Sequence, residues 1–339
     1  MTSPWNWTRY AGRSPPARPC LPNGSGPTSD RGDMATNRFQ QFTDTQWAYI
    51  EPMLPSSAGR QGRHFRNNRQ VVEGIIYPYR TGIAWRDLPE CFGPWQTVWK
   101  RQPRYAADGT WDAVLGKILA EADAAGDIDW SVSVDATINR AHQHATNTPR
   151  VEQHTGAWAN YTKLGFCPSE PAGHGIGRSR GGLSTKIHVG VDGAGRPLSL
   201  VVTGGQRNDG AVLREVIEDI RVPRVGGGRP RTTPDAVIAD RAYPSRGTRD
   251  YLRGRGIKTV IPEKSDQVRG RKSKGPAGGR PPAFDAQAYK GRNVVERAFS
   301  KVKQWRGLAT RYDKLAVVYR AAAVLSTIVA WLAPLGDTS

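Results

Sequence analysis

The chain has 339 residues, enough for one large and one smaller domain around a sizeable core. Lys and Arg number 49 against 30 Asp and Glu, a net charge of +19, so the first partner to expect is nucleic acid, with a membrane surface as the other polyanion to consider. Three widely spaced cysteines, Cys20, Cys91 and Cys167, form no CxxC pair; they suggest neither a disulfide framework nor a thiolate zinc site and fit a reducing cytoplasm.

In chain order, residues 1–33 are rich in Pro, Gly, Ser and Arg, with no periodicity and no apolar h-region. They read as neither signal peptide nor packed element, and 1–38 is expected to be a disordered extension. From Thr43 the pattern turns helical: Thr43 and Gln46 make a capping-box pair, and Trp47, Ile50 and Leu54 recur on one face. A second helix over about 67–81 carries Val71, Val72, Ile75, Ile76 and Tyr79 and stops at Gly82, with Pro78 expected to kink or shorten it. Pro94 suits the first position of a third helix. Thr110 is expected to cap a fourth, bearing Trp111, Val114, Leu115, Ile118 and Leu119 and ending near Gly126. Four short helices with Arg and Lys between them predict a small basic α-helical domain over 39–128. Its Trp85, Trp95 and Trp99 read as core rather than as base-stacking platforms.

At Ser131 the period changes from 3.6 to 2. SVSVDATI alternates, with Val132 and Val134 on one face and Ser133 and Asp135 on the other. After a polar, Gly-rich stretch over 139–182, STKIHVGV and LSLVVT joined by the turn DGAGRP predict a hairpin. A helix at about 210–220, the strand AVIA, a helix at 245–254 and the strand KTVIP follow. Three strands and then alternating helices and strands predict an α/β domain with a sheet of mixed direction over 129–333. The segment 264–283 holds six cationic residues and one acid among Gly and Pro, so it cannot build a core. It reads as a solvated loop or as a phosphate-tracking arm using Arg269, Arg271, Lys272 and Lys274. The apolar run 321–333 is too short to span a bilayer and reads as a core helix, so no membrane partner is expected; 334–339 is a tail. His142, His144 and His154 lack the cysteines or close carboxylate that a zinc site needs.

One stretch, 284–308, carries a pattern of its own. Tyr289, Arg292, Glu296 and Lys303 fall at offsets of three, four and seven, on one stripe of a helix. Val294, Val295, Ala298, Phe299 and Val302 fall on another face and anchor it. Asp285 suits the cap and Gly307 the end, while Gly291 costs about 1 kcal/mol relative to Ala inside a helix, so the helix could begin properly only at Asn293. By itself such a stripe is also what a solvated face of i,i+4 pairs looks like. Trp305 reads as core rather than as a platform for a base.

The spacing Tyr-x2-Arg-x3-Glu-x6-Lys resembles the signature around the last acidic residue of insertion-sequence DDE transposases. The text NVVERAFSKVKQWRGLATRYDK resembles the insertion-sequence-five group of the IS4/IS5-like superfamily. The resemblance extends through RTGIAWRDLPECFGPWQTVWKR, SVDATINRAHQHA, GRSRGGLSTKIHVGVDGAGRPL, VIADRAYPSR and VIPEKSDQ, over roughly residues 39–333. It implies a ribonuclease-H-like catalytic domain preceded by a small α-helical DNA-binding domain, which would recognise terminal repeats of the element. It also makes Met34 a plausible start, since members begin shortly before the counterpart of FTDTQW.

The resemblance further implies that Asp135, Asp240 and Glu296 are the catalytic carboxylates and converge. Three carboxylates repel one another unless a cation neutralises them, and oxygen ligands with open positions suit Mg²⁺ or Mn²⁺. Such ions assist in-line displacement at phosphorus, so cleavage of terminal inverted repeats and joining to target DNA is expected. Arg292 and Lys303 would hold phosphates, and Tyr289 a phosphate or an unpaired base. A homodimer assembled on double-stranded DNA is the expected working form. A catalytically silent DNA-binding relic and a metal-dependent nuclease without strand transfer are the alternatives. The run GRSRGG at 177–182 reads equally as a phosphate contact or as the flexible approach to a strand.

Overall fold

The computed structural model describes residues 41–56, 67–147 and 170–335. The expected extension over 1–38, Met34, Cys20, Cys167, His154 and the last four residues lie outside the described residues.

The first helix, α1 (Asp44–Ile50), opens on the expected capping box, and the chain continues as a 3-10 turn over Glu51–Met53. Helix α2 (Asn68–Thr81) ends on Gly82 in the left-handed conformation. Pro78 does not end it, because the helix runs three residues further. Helix α3 (Trp95–Ala107) starts one residue later than expected, with Pro94 as its cap, and runs past Pro103. In α4 (Thr110–Ala125) the cap is Gly109 rather than Thr110, and Asp108 Oδ1 accepts from both the Thr110 N–H and its hydroxyl.

Strand β1 (Ser131–Ala141) begins a sheet of mixed direction, followed by a four-residue helix, α5 (Gln143–Thr146). Next come β2 (Gly177–Ser179), β3 (Gly182–Val191) and β4 (Pro197–Gly204), then helix α6 (Asp209–Asp219). The alternating part is β5 (Ala236–Ala239), α7 (Arg246–Gly254) and β6 (Lys258–Val260). The main order is β4-β3-β1-β5-β6; β1 is antiparallel to β3 and parallel to β5, and β6 is parallel to β5. With the five main strands renumbered in chain order this is 3-2-1-4-5, and it fits a ribonuclease-H-like fold. The run GRSRGG is β2 and its turn, paired with the start of β3 along the same edge that β4 occupies further on.

The alternation in SVSVDATI suggests one wet face, yet Ser133 is buried as completely as Val132 and Val134. Both faces of the sheet are covered. Helix α6 lies over one, where a side-chain atom added at Gly190 would meet Val132 and Val216. The other face takes α10 (Asn293–Lys303).

The basic segment is more structured than its composition suggests. It forms a helix, α8 (Ser265–Ser273), and a 3-10 turn over Gly275–Gly278, with no buried residue. Side chains tie it down: Gln267 Nε2 donates to the Pro244 carbonyl at 2.8 Å, and Arg271 pairs with Glu263 at 3.1 Å. After it, Asp285 caps α9 (Ala286–Lys290), and the chain breaks at Gly291–Arg292 before α10. Gly307 does not end α10, which stops at Lys303; it sits in α11 (Arg306–Ala309), packed on α2. The short β7 (Thr310–Arg311) pairs with the end of β1.

The apolar run forms the buried helix α12 (Ala316–Leu332). It packs on α3, α4 and β4, so the N-terminal helices and the sheet share one hydrophobic core. Together with the turn after it, it is the one described helix long and apolar enough to cross a membrane, and most of it is buried inside the protein. Trp85 and Trp95 pack against the core, whereas Trp99 is 36% exposed and departs from the expectation.

Candidate active site

Strand register places the first two carboxylates. Val134 pairs with Ala239 across the parallel β1–β5 ladder, so the next step brings Asp135 beside Asp240, about 5 Å apart along the sheet. Paired residues face the same side, and for Asp135 that is the side opposite Val132 and Val134. Asp240 leaves the end of β5, where its Oδ1 accepts from the Ala242 N–H at 2.7 Å. Asp135 Oδ1 accepts from the Ala136 N–H at 2.8 Å. Burial raises the Asp135 carboxyl above its usual range, and the charge of Asp240 adds to that; the Ala136 N–H and Arg292 work in the opposite direction.

The break at Gly291–Arg292 aims the third participant. Arg292, at the start of α10, donates from Nη1 to Asp135 Oδ2 at 2.9 Å and from Nη2 to Glu296 Oε1 at 2.6 Å. Glu296 is 57% exposed and is joined to Asp135 through this guanidinium. Among the described residues, no three of His, Cys, Asp and Glu are gathered closely enough to hold a metal ion. Two carboxylates are therefore adjacent and the third is bridged to them, a looser convergence than the sequence suggests. The physical reason is the guanidinium itself, which occupies the space between Asp135 and Glu296. Val294, Val295, Ala298 and Phe299 are buried beneath α10, as the apolar face requires.

The other expected contact residues are spread around this centre. Tyr289 belongs to α9, not to the axis of α10, and its ring packs at a tilt against Phe284, 5.3 Å between centres. Lys303 is exposed in the last turn of α10. Arg269, Lys272 and Lys274 are exposed on and after α8, whose Gln267 docks it beside the loop that follows Asp240. Arg271 is instead held by Glu263. Trp305 is buried, with Arg80 over its ring at 5.5 Å. The rings of His142 and His144 meet edge to face, 4.6 Å between centres.

Several polar residues near the site were not singled out by sequence reasoning. Lys186 Nζ donates to Asp209 Oδ1 at 2.8 Å, and the buried His188 meets Thr203 Oγ1 at 2.8 Å. Burial lowers the His188 pKa to about 4, against the charge of Asp209. Tyr243, in the turn after Asp240, is buried and its hydroxyl has no hydrogen-bond partner among the described residues. Its one sequence signal is its place in VIADRAYPSR, directly after the acid.

A mixed sheet with acids at adjacent positions of its central parallel strands, and an acid-bearing helix laid across them, places the chain in a recognisable class of fold. The family of the transposase DDE domain matches residues 129–332, more than half of the chain, and a domain of IS4/5-family transposases matches residues 42–115. The chain belongs to the DDE transposases of the IS4/IS5 family. Among its relatives, the uncharacterized protein y4sN of Sinorhizobium fredii is 36% identical over 110 residues, covering 32% of this chain and 83% of that protein. A protein named as the transposase of insertion sequence element IS402 of Burkholderia cepacia is 32% identical over 148 residues, 43% of this chain and 63% of that protein. The corresponding protein of element IS6501 of Brucella ovis is 26% identical over 150 residues, 44% of this chain and 99% of that protein. The crystal structure of the Mos1 strand transfer complex aligns over 80% of both chains at 12% identity, with a TM-score of 0.23, too distant to carry an argument.

Proposed function

We propose that this transposase binds the terminal inverted repeats of its own insertion sequence, cleaves the DNA at their ends and joins those ends to target DNA. Asp135, Asp240 and Glu296 are the residues to which we assign the chemistry. The observation that carries the reading is the placement of Asp135 beside Asp240, with Arg292 bridging from Asp135 to Glu296.

DDE transposases as a family depend on a divalent metal. The donor set here fits one: the carboxylates are hard oxygen ligands, they are only half-buried, and a cationic guanidinium already lies between two of them. Asp135 and Asp240 would hold Mg²⁺ or Mn²⁺, and Glu296 would complete the set by turning from Arg292. Bound there, the metal would activate the attacking hydroxyl and stabilise the leaving oxygen at phosphorus. Arg292, released from the carboxylates, and Lys303 would hold phosphates next to the scissile bond. Tyr289 would contact a phosphate or stack on an unpaired base, and Arg269, Lys272 and Lys274 would track the backbone beyond it.

We further assign residues 39–128 to recognition of the terminal repeats as a helical DNA-binding domain, ahead of a catalytic domain over 129–333, and expect a homodimer on DNA. The test is incubation with a labelled repeat end and supercoiled target DNA in Mg²⁺. Cut ends and covalently joined products are expected. Cleavage without joined product would favour a nuclease, and binding without cleavage a silent relic.

A further inference from the structure

We infer that the outer half of β1, together with β7, is a track for an unpaired DNA strand, on which Ile138, His142 and Tyr312 take bases and Arg140 a phosphate. The inference rests on the reading of the protein as a DNA-cleaving transposase and adds to it a surface that contains none of the residues assigned above.

The sheet has a notch beside the first carboxylate. Along one side of β1 the last pair with β5 is Val134–Ala239, and the first pair with β7 is Arg140–Thr310. Asp135 to Asn139 therefore have no strand neighbour on that side among the described residues. Asp135 looks out on the face that takes α10. Side chains alternate along a strand, so Ile138, Arg140 and His142 follow one another on the other face. At about 3.3 Å per residue, Ile138 lies about 10 Å and His142 about 23 Å along β1 from Asp135. A strand held at the carboxylates can thus cross the unpaired edge and continue over this face.

The row it would meet is apolar, aromatic and open. Ile138 is 48% exposed although β1 is the central strand, because α6 covers this face only further back, over Val132. Arg140 is exposed and makes no ion pair among the described residues. Tyr312, 43% exposed, holds its ring 4.7 Å from that of His142, which His144 meets in turn. These rings are fixed from behind. The His142 N–H donates to the Arg311 carbonyl at 2.9 Å, and its Nδ1 accepts from the His144 N–H at 3.2 Å. Tyr312 stands between Arg311, which is fully buried, and Asp313, which accepts from the Tyr79 hydroxyl at 3.0 Å. Apolar side chains scattered singly on a surface are ordinary, whereas a contiguous row marks a binding surface.

The composition of the row selects its occupant. A duplex presents phosphates and asks for several cations, but this row holds one, Arg140. An unpaired strand presents bases, each with a π-face that a ring can take without reading sequence, and a phosphate between them for a guanidinium. Charge agrees with a polyanion: Lys186, beside Ile138 in the ladder, already holds Asp209, the acid that opens α6.

The test titrates the full chain with a labelled repeat-end duplex, either blunt or carrying about six unpaired thymidines past the end on either strand. A scrambled duplex with the same overhang runs in parallel. The parent should bind overhung DNA about tenfold more tightly than blunt DNA, the worth of roughly one stacked base. Tyr312→Ala should lose that advantage and keep the parental affinity for blunt DNA. Arg140→Ser should weaken binding of overhung DNA and reduce its salt slope by about 0.7. Equal binding of both DNAs by the parent, or an advantage that survives in Tyr312→Ala, would overturn the track. An equal loss on blunt and overhung DNA would also overturn it, since the residues would then serve the fold or duplex binding. So would a changed oligomeric state of Tyr312→Ala without DNA, which would make the row a contact between copies. An overhang effect that is intact on the scrambled duplex, with no preference for the repeat, would support the track and overturn the repeat recognition proposed above.

Discussion

Arg292 makes two ion pairs with one guanidinium, and its planar fork is what allows both. Asp135 is half-buried beside Asp240, so removing the arginine leaves two neighbouring carboxylates without their compensating cation. Arg292→Gln should lower metal-free stability by about 1–3 kcal/mol, read as a fall in Tm. Arg292→Lys should recover only part of it, because an ammonium cannot bridge both acids in the same way. A Tm for Arg292→Gln equal to that of the parent would show that the carboxylates do not need this cation. His188 makes a second residue-scale statement. It is fully buried with a pKa lowered to about 4, so the folded protein keeps it neutral while the unfolded chain titrates near its ordinary value of about 6.5. Its contribution is complete above about pH 6.5 and is lost as the pH falls toward 4, to a total of about 3 kcal/mol. The stability difference between the parent and His188→Gln should therefore change across that window and level off below it. Asp313, raised to about 6 by burial, titrates in the same range with the opposite sign, so only the difference isolates His188. A difference independent of pH would contradict the buried neutral imidazole.

The helix that brings Arg292 to the site shows what could be read in advance. The apolar face of α10, the cap at Asp285 and the cost of Gly291 are properties of neighbouring residues, and all three appear as expected in the break between α9 and α10. Helix α8 was not legible, because a run of Lys, Arg, Ser and Gly has no apolar period. It is held by the carbonyl of Pro244 in the turn after Asp240 and by Glu263 just ahead of the helix. Arg271 likewise reads as one more cation in sequence, whereas the structure makes it a fastening. These differences set the design of a binding test. Replacing Arg269, Lys272, Lys274 and Arg280 with Ser should weaken DNA binding about equally for all sequences. The salt slope should flatten by up to roughly four, about 0.9 for each lost phosphate contact. Arg271→Ser should chiefly loosen α8. Unchanged affinity and slope in the fourfold variant would make the segment a simple connection. Gly307 tests another element: a side-chain atom there would lie 2.9 Å from the Tyr79 Cα, in the contact between α11 and α2. Gly307→Ala should cost about 1–3 kcal/mol, and a parental Tm would show that this contact is loose.

At the scale of the whole molecule, the strand order and the adjacency of Asp135 and Asp240 agree with what the family resemblance implies, not with anything periodicity alone announces. The way its parts close on one another follows from neither. Arg311, a cation near the end of the chain, is fully buried and donates to the carbonyls of His174, Gly175, Asp313 and Lys314 and to the Thr185 hydroxyl, bonds that no local pattern announces. Helix α12 fills the space between the N-terminal helices and the sheet, so one core supports both the helical region and the strands that bear the acids. The most direct measurement is cleavage of a labelled terminal-repeat end in Mg²⁺ by Asp135→Asn, Asp240→Asn and Glu296→Gln, with DNA binding assayed in parallel. Each variant should remain folded and bind the repeat like the parent, yet lose both cleavage and joining by orders of magnitude. Cleavage at the parental rate by any one of the three would contradict the assignment of that residue to the chemistry.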